Sequence, residues 1–206
     1  MRQIALPLSP GTSGAPRIVV GNANAPVVEA LSDAGHWPFR TAVLSGPPRA
    51  GKSLLARWFA ETAGGEVIDD AETMAEDELF HRWNRAQDQA QQGRPLLIVT
   101  NVPFGTWRIA LPDLASRLGA ALHLQIGTPD DAMMAELIAI HAEMRGLVLD
   151  PAATAYLVPR GERSHVGAER LVAAIDRLSL ERKTAPTLSI WREALNEVNG
   201  KAADAS

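Results

Sequence analysis

The chain has 206 residues, of which 46% are hydrophobic and 21% are charged, and its formal net charge is −4. That length supports one domain, or one domain with a small second unit, without covalent cross-links. The negative balance argues against direct DNA binding, because a DNA-binding surface needs an excess of Lys and Arg. The lack of cysteine excludes disulfide bonds and thiolate metal sites. No apolar run approaches the roughly 18 residues of a membrane span and no signal peptide is evident, so a cytoplasmic location is expected.

Strand and helix patterns alternate through the first part of the chain. Strands are predicted at residues 17–20, 41–45, 66–69, 96–100 and 121–126. Helices are predicted at residues 24–34, 52–63, 72–92 and 112–118. This alternation predicts an α/β fold with a parallel sheet and flanking helices. The nearly all-apolar segment 96–100 is typical of a strand that is buried on both faces.

From residue 128 onward the pattern is helical only. Helices are predicted at residues 130–145, 151–157, 164–182 and 188–198. Segment 9–15 is rich in Pro, Gly, Ser and Thr, and the last six residues are small and polar, so both are expected to be flexible. The expected organisation is an N-terminal segment 1–15, an α/β subdomain 16–127, a helical subdomain 128–200 and a tail 201–206.

A phosphate-binding loop follows the predicted strand 41–45. Its eight residues fit the pattern G-x-x-x-x-G-K-[ST], and they are Gly46, Pro47, Pro48, Arg49, Ala50, Gly51, Lys52 and Ser53. The two glycines let the backbone turn and approach a phosphate, Lys52 brings a cation to the β- and γ-phosphates, and the Ser53 hydroxyl ligates Mg²⁺. The alternative is a chance glycine loop before a helix. The flanking strand and helix favour a site for ADP or ATP with Mg²⁺.

Two acidic residues, Asp69 and Asp70, follow the apolar residues of the predicted strand 66–69. Beside a phosphate loop, Asp69 would hold Mg²⁺ through water and Asp70 would orient the attacking water. The alternative is a surface turn, in which Asp-Asp is common. Only 17 residues separate Lys52 from Asp69. That spacing leaves no room for two strands and two helices, so one strand–helix unit is expected to be missing and hydrolysis is expected to be impaired.

The phosphate loop and the acidic strand end, together with segments 17–24 and 97–103, resemble motifs of the DnaA-related AAA+ proteins. Within that family the chain resembles the short Hda type. The resemblance extends from Gln3 to about Leu195. It implies a P-loop NTPase sheet followed by a helical lid. It also implies a regulator that promotes hydrolysis of the ATP bound to the replication initiator DnaA and thereby restrains re-initiation.

The same resemblance assigns roles to polar residues at two segment ends. Asn22 and Asn24 would contact the adenine, unless they only form a turn before a helix. Asn101, or Thr100 beside it, would sense the γ-phosphate, unless the segment is only a buried strand that ends in a polar turn.

Residues 111–118, Leu-Pro-Asp-Leu-Ala-Ser-Arg-Leu, resemble the family segment that carries the arginine finger. Arg117 would act in trans on ATP bound to DnaA, where a guanidinium stabilises the charge of the transition state. The alternative is an arginine near a helix end that pairs with Asp113 four residues earlier.

Residues 3–8, Gln-Ile-Ala-Leu-Pro-Leu, are similar to the hexapeptide with which the Hda type binds the sliding clamp of DNA polymerase III. Such a peptide docks in an extended form, with Gln3 in a small pocket and Leu6 and Leu8 in an apolar pocket. Ile4 is also expected to be a clamp-binding residue. The alternative is a frayed terminus or an edge strand.

The chain departs from the family pattern in two places. Little sequence follows the lid, so no DNA-binding domain is expected and contact with DNA is expected to be indirect. Glu169 aligns where the family has its sensor-2 arginine, and Arg170 and Arg163 are the nearby candidates. Loss of that cation would favour ADP or an empty site.

The resulting hypothesis is a regulator that binds nucleotide, hydrolyses it weakly if at all, and acts on DnaA. Homo-oligomer formation is left open. Three alternatives also remain open: an autonomous clamp-associated ATPase, an interaction module with a degenerate nucleotide site, and, least favoured, a small-molecule kinase.

Overall fold

The computed structural model describes residues 2–5, 17–87, 94–103 and 105–203, with the backbone alone for 2–5 and 201–203. Strands β1 (Arg2–Ala5) and β2 (Arg17–Val20) pair in a two-stranded sheet. The chain divides into two compact units. One contains Ile4–Ile18 and Asn24–Gly127, and the other contains Met1–Gln3, Val19–Ala23 and Thr128–Ser206. The expected linker 9–15 lies outside the described residues.

The α/β unit contains a parallel four-stranded sheet, as the alternating pattern predicted. Its strands are β3 (Thr41–Ser45), β4 (Glu66–Ile68), β5 (Leu96–Thr100) and β6 (Leu122–Gln125), in the order β4-β5-β3-β6. Every residue of the central strands β3 and β5 is buried, because helices cover both faces of a parallel sheet. Ser45 of β3 pairs with Thr100 and Gln125, so the segments that leave these strand ends share one edge of the sheet.

Four helices complete this unit: α1 (Ala25–Ser32), α2 (Lys52–Ala63), α3 (Glu76–Gln87) and α4 (Pro112–Ala120). Helices α3 and α4 cover the sheet face formed by Val43, Ile68 and Ile98, where their apolar side chains complete a core. Helix α2 packs on β4 and β5, and α1 packs on α2. The ring of Phe59 in α2 is fully buried and stacks on Trp37, with 5.1 Å between ring centroids.

The segment between β4 and α3 differs from the expected helix 72–92. Asp70 has a left-handed backbone (φ 48°), residues Ala71–Thr73 form a 3₁₀ turn, and α3 begins only at Glu76. The Glu76 carboxylate accepts hydrogen bonds from the backbone of Ala110 (2.8 Å) and Leu111 (2.7 Å), which fixes the start of α3. These non-local bonds are invisible in the helical periodicity of the sequence.

Helix α2 leads directly from β3 to β4, across the intervening β5. Residues 46–69 therefore contain one helix and one short strand. This agrees with the strand–helix unit expected to be missing between the loop and the acidic strand end.

The second unit is built from α5 (Asp131–Met144), α6 (Pro151–Leu157), α7 (His165–Arg182) and α8 (Leu188–Ala203). Three of these helices have side-chain caps: Asp130, Asp150 and Ser164 each accept a backbone N–H three residues later, at 2.7 to 2.8 Å. Helix α8 extends past residue 198, into the segment expected to be a tail. None of the described helices is both long and apolar enough to cross a membrane.

A histidine is partly buried at the start of α7. The Nε2 atom of His165 is buried and has no hydrogen-bond partner among the described residues. Burial, together with the nearby His141, lowers the pKa of His165 from 6.5 to about 4. The imidazole is therefore neutral in the folded protein at pH 7.

This histidine should make the folded protein sensitive to acid. As the pH falls below 6.5, the unfolded chain takes up the proton first, so stability is lost between pH 6.5 and about 4. The shift corresponds to about 3 kcal/mol of unfolding free energy. We expect His165→Gln to flatten the pH dependence over that window, measured by urea unfolding at several pH values. A pH dependence in His165→Gln that matches that of wild type would contradict this assignment.

Candidate functional site

The loop between β3 and α2 has the backbone geometry of a phosphate-binding loop. Gly51 is left-handed (φ 86°), a conformation that costs glycine nothing, and Arg49 is left-handed as well (φ 60°). At Gly46, a Cβ atom would lie 3.0 Å from the Cβ of Ile126. A side chain at position 46 would therefore crowd the segment that follows β6.

The ammonium group of Lys52 lies inside this loop. Lys52 is only 5% exposed, and its Nζ donates hydrogen bonds to the carbonyl oxygens of Gly46 (2.8 Å) and Pro47 (2.7 Å). Burial lowers the pKa of Lys52, while the negative charges of Glu72, Asp69 and Asp70 oppose that shift. These two hydrogen bonds fold the Lys52 side chain back over the loop. A bound phosphate would replace the two carbonyls as hydrogen-bond acceptors.

Oxygen groups suited to Mg²⁺ lie near this lysine. Ser53 is exposed at the start of α2, and Asp69 is exposed at the end of β4. Among the described residues no group of three or more His, Asp or Glu side chains is arranged to hold a metal ion. A hydroxyl and a carboxylate fit Mg²⁺, which takes few protein ligands and completes its shell with phosphate oxygens and water.

A hydrogen-bonded cluster joins the end of β5 to the segment after β4. The Asn101 side chain donates from Nδ2 to Asp70 Oδ1 (3.0 Å) and to Glu72 Oε1 (2.9 Å). The Asn101 backbone N–H also donates to Glu72 Oε1 (3.1 Å). Thr100, the other γ-phosphate candidate, is buried, and its hydroxyl accepts from the Val102 N–H (3.0 Å).

Glu72 was not predicted as a site residue. Burial alone would raise the pKa of its carboxyl group, but hydrogen bonds from its own backbone, from Asn101 and from the nearby Thr100 hydroxyl lower it. Glu72 is therefore ionised at neutral pH. The available sequence signal was an acid three residues after Asp69, but the expected helix from residue 72 masked it.

Asn22 and Asn24, which are predicted to contact the adenine, lie between β2 and α1. The Asn22 side chain donates to the Thr128 carbonyl (3.0 Å) and accepts from the Asp130 N–H (2.9 Å), so it ties the segment after β2 to the start of α5. Asn24 is buried at the N-cap position of α1, where its side chain makes no capping bond. An adenine contact by either residue remains a prediction.

The sensor-2 candidates lie in the helical unit. Arg170 is exposed on α7, and Arg163 forms an ion pair with Asp131 at the start of α5. A nucleotide contact by Arg170 remains a prediction.

Arg117 lies on α4, on the face that packs against α3. Its guanidinium carbon lies 4.3 Å from the ring centroid of Phe80 and 4.4 Å from that of Trp83, and its Nη1 donates to Asn84 Oδ1. The alternative pairing with Asp113 is not formed. Within the described part of the chain no carboxylate lies within ion-pair distance of Arg117, so its charge is not neutralised by an acid.

The predicted clamp-binding peptide is described only in part. Gln3 and Ile4 lie in β1, where the backbone pairs with β2, and Leu6 and Leu8 lie outside the described residues. The backbone at Gln3 and Ile4 is extended, as both the docking peptide and the alternative edge strand require.

No protein-family model matches the chain. Its structure is similar to domain III of the replication initiation protein DnaA from Thermotoga maritima, with a TM-score of 0.71, 15% identity, and coverage of 88% of this chain and 94% of that one. It is also similar to a replication initiator DnaA bound to AMPPCP and single-stranded DNA (TM-score 0.61, 16% identity, 81% and 66% coverage). A third similar structure is the Thermotoga maritima RuvB Holliday junction branch migration motor (TM-score 0.62, 17% identity, 86% and 69% coverage). The chain therefore has the AAA+ P-loop NTPase fold found in these proteins.

Replacement of Lys52 provides a direct test of the phosphate loop. We expect Lys52→Ala to weaken the binding of fluorescent mant-ADP by about 10- to 100-fold, because a charged hydrogen-bond donor to the phosphates is lost. Arg57→Ala, at an exposed position of the same helix, should leave the affinity unchanged. Equal affinities for wild type and Lys52→Ala would show that nucleotide binds elsewhere.

Proposed function

We propose that this protein is a DnaA-related regulator of replication initiation, which binds ADP or ATP at residues 46–53 and uses Arg117 to stimulate hydrolysis of ATP bound to DnaA. The observation that carries this proposal is the state of Arg117. Arg117 as a residue is partly exposed, and its guanidinium rests on two aromatic rings with no carboxylate within ion-pair distance in the described chain. An arginine that acts on another protein's nucleotide needs such an uncompensated charge.

The topology of the sheet supports action in trans. The phosphate loop leaves the carboxyl end of β3, whereas α4 leads into the amino end of β6, which pairs with the amino end of β3 at Ala42. Arg117 lies in the second half of α4, and Trp83, which it contacts, is paired with Phe39 just before β3. Arg117 is thus near the amino ends of the strands, opposite the edge that carries its own loop, which supports a target on another chain.

Release of Arg117 from its aromatic neighbours is energetically accessible. A cation–π contact contributes about 0.5–2 kcal/mol, depending on exposure. A transition-state phosphate offers a guanidinium much stronger bidentate hydrogen bonds. The contacts with Phe80 and Trp83 therefore hold the side chain in place without preventing its transfer to a partner.

The N-terminal segment supplies the second part of the proposal. Docking of residues 3–8 on the DNA polymerase III sliding clamp would place the regulator at newly replicated DNA. The sequence similarity of this peptide and the extended backbone of β1 support that role.

The role of Arg117 is tested by single-turnover hydrolysis of ATP already bound to DnaA, in the presence of clamp-loaded DNA. We expect Arg117→Ala to reduce the stimulation at least about 100-fold, because transition-state charge stabilisation is lost. Arg117→Lys should restore little of it, since an ammonium group cannot make the bidentate contact.

Arg57→Ala, on the helix that packs on β4 and β5, is the matched arginine control and should retain full stimulation. Thermal unfolding of each variant separates a loss of function from a loss of fold. Full stimulation by a folded Arg117→Ala protein, or no stimulation by wild type, would refute the proposed function.

Clamp binding is tested by substitution rather than deletion, so that β1 can still pair with β2. We expect the combined change Gln3→Ala and Leu8→Ala to weaken binding of the isolated clamp by about 10-fold or more, since both side chains would fill pockets. The matched control, Ser9→Ala with Thr12→Ala, should bind like wild type in the same titration. Undiminished binding by the first variant would leave residues 3–5 as a structural strand only.

A further inference from the structure

Phe39, just before β3, carries an aromatic ring on the surface of the α/β unit. It is 54% exposed, whereas Trp37, two residues earlier, is 6% exposed and stacks on Phe59 in the core. The Phe39 ring makes only a tilted contact with Trp83, with 6.2 Å between ring centroids. A single exposed apolar side chain is common in proteins, so the backbone of this residue is the more informative feature.

The backbone at Phe39 has a conformation that disfavours its side chain. Phe39 (φ 49°, ψ 27°) and Arg40 (φ 49°) are consecutive left-handed residues. In this region the Cβ atom of an L-residue crowds the following carbonyl oxygen, so glycine or asparagine is usual and a bulky residue is strained. The Phe39 carbonyl accepts hydrogen bonds from the Thr41 hydroxyl (2.9 Å) and from Gln87 Nε2, which hold the turn in place. Strain that neighbouring bonds maintain in this way is typical of functional positions.

Phe39 lies next to the aromatic rings that support Arg117. Trp83 contacts both side chains, since its ring centroid also lies 4.4 Å from the guanidinium carbon of Arg117. Trp83 itself is buried, so it contributes support rather than contact area. The exposed ring of Phe39 and the partly exposed Arg117 therefore belong to one area of the surface. Aromatic residues and arginine are the residue types that protein–protein interfaces enrich.

We propose that Phe39 is an anchor of the surface that binds the ATP-bearing partner, with its ring inserted into an apolar pocket beside the nucleotide that Arg117 contacts. This role rests on the proposed function, in which that partner is DnaA. A side chain whose direction is fixed before binding loses little conformational freedom when it docks. The strained turn at Phe39 thus favours binding, although it lowers the stability of the fold.

The charge of this surface favours DnaA over a second copy of the same chain. A two-fold pair of copies would set the same face against itself, with Arg117 of one copy near Arg117 of the other. Within the described chain no carboxylate lies within ion-pair distance of Arg117, so the two like charges would repel. A partner that presents a nucleotide phosphate carries the opposite charge.

The test separates binding from catalysis. Single-turnover hydrolysis of DnaA-bound ATP, with clamp-loaded DNA, is measured at increasing concentrations of Phe39→Gly, Phe39→Asn and the control Val148→Ala, at an 85% exposed apolar position of the helical unit. We expect both Phe39 variants to raise the half-saturating concentration about 10-fold or more, with a rate at saturation within about 2-fold of wild type. Binding to DnaA loaded with AMPPCP should weaken by the same factor. Val148→Ala should match wild type in both measurements.

Two further measurements exclude a merely structural effect. Glycine and asparagine both tolerate a left-handed backbone, so both Phe39 variants should fold. Neither variant should lower the unfolding temperature, and both should bind mant-ADP like wild type. Loss of mant-ADP binding in both variants would show that Phe39 is needed for the fold, and would overturn its role as an anchor.

Wild-type affinity for DnaA in both Phe39 variants would overturn this inference and leave the role of Arg117 intact. A wild type that binds DnaA without stimulating hydrolysis would refute the role of Arg117, and the direct binding measurement would then decide the role of Phe39 by itself. Self-association of wild type that both variants abolish, with unchanged affinity for DnaA, would identify a second copy as the occupant and overturn the inference. A wild type that does not bind DnaA would refute both proposals.

Discussion

The candidate site at the carboxyl edge of the sheet depends on the hydrogen bonds and charges around the buried ammonium group of Lys52. A charge taken out of water must be matched by hydrogen bonds and opposite charge, and here two loop carbonyls and three carboxylates provide them. A nucleotide phosphate can replace the carbonyls without leaving the ammonium unpaired. The loop is therefore organised around its lysine by the protein's own groups, so binding of a phosphate there would require little further ordering of the loop.

The sheet brings the remaining groups to this lysine. The register of β3 with β5 sets Ser45, the last residue before the loop, beside Thr100, the residue before Asn101. The Asn101 side chain in turn donates hydrogen bonds to Asp70 and Glu72, which lie in the segment after the neighbouring strand β4. Strand pairing thus converts three segments that are distant in the sequence into one hydrogen-bonded network. The two glycines of the loop serve the same arrangement, Gly51 through its left-handed backbone and Gly46 through its close approach to Ile126.

The phosphate loop, the parallel sheet and the helical second unit could be predicted because each depends on local spacing. Lys52 follows Gly51 within one motif, and the all-apolar β5 is recognisable from its own five residues. Glu72 could not be assigned in this way. Its contact with Asn101 depends on a left-handed Asp70, on a 3₁₀ turn, and on the bonds that delay the start of α3 to Glu76. The aromatic support of Arg117 was missed for the same reason, since it arises from packing between α3 and α4. The hydrogen bonds of Asn22 could not be predicted either. Its side chain, expected to contact adenine, donates to the Thr128 carbonyl and accepts from the Asp130 N–H, more than 100 residues along the chain.

In the proposed function, two cations of one α/β unit would contact phosphates. Lys52 would contact those of the chain's own nucleotide, and Arg117, which rests on the rings of Phe80 and Trp83, would contact those of a nucleotide bound to a partner. The most direct test is the structure of this protein in complex with DnaA loaded with AMPPCP. The account predicts that Arg117 leaves Phe80 and Trp83 and that its guanidinium contacts the γ-phosphate held by DnaA. A complex in which Arg117 stays stacked on both rings, while a different side chain approaches that phosphate, would contradict the central claim.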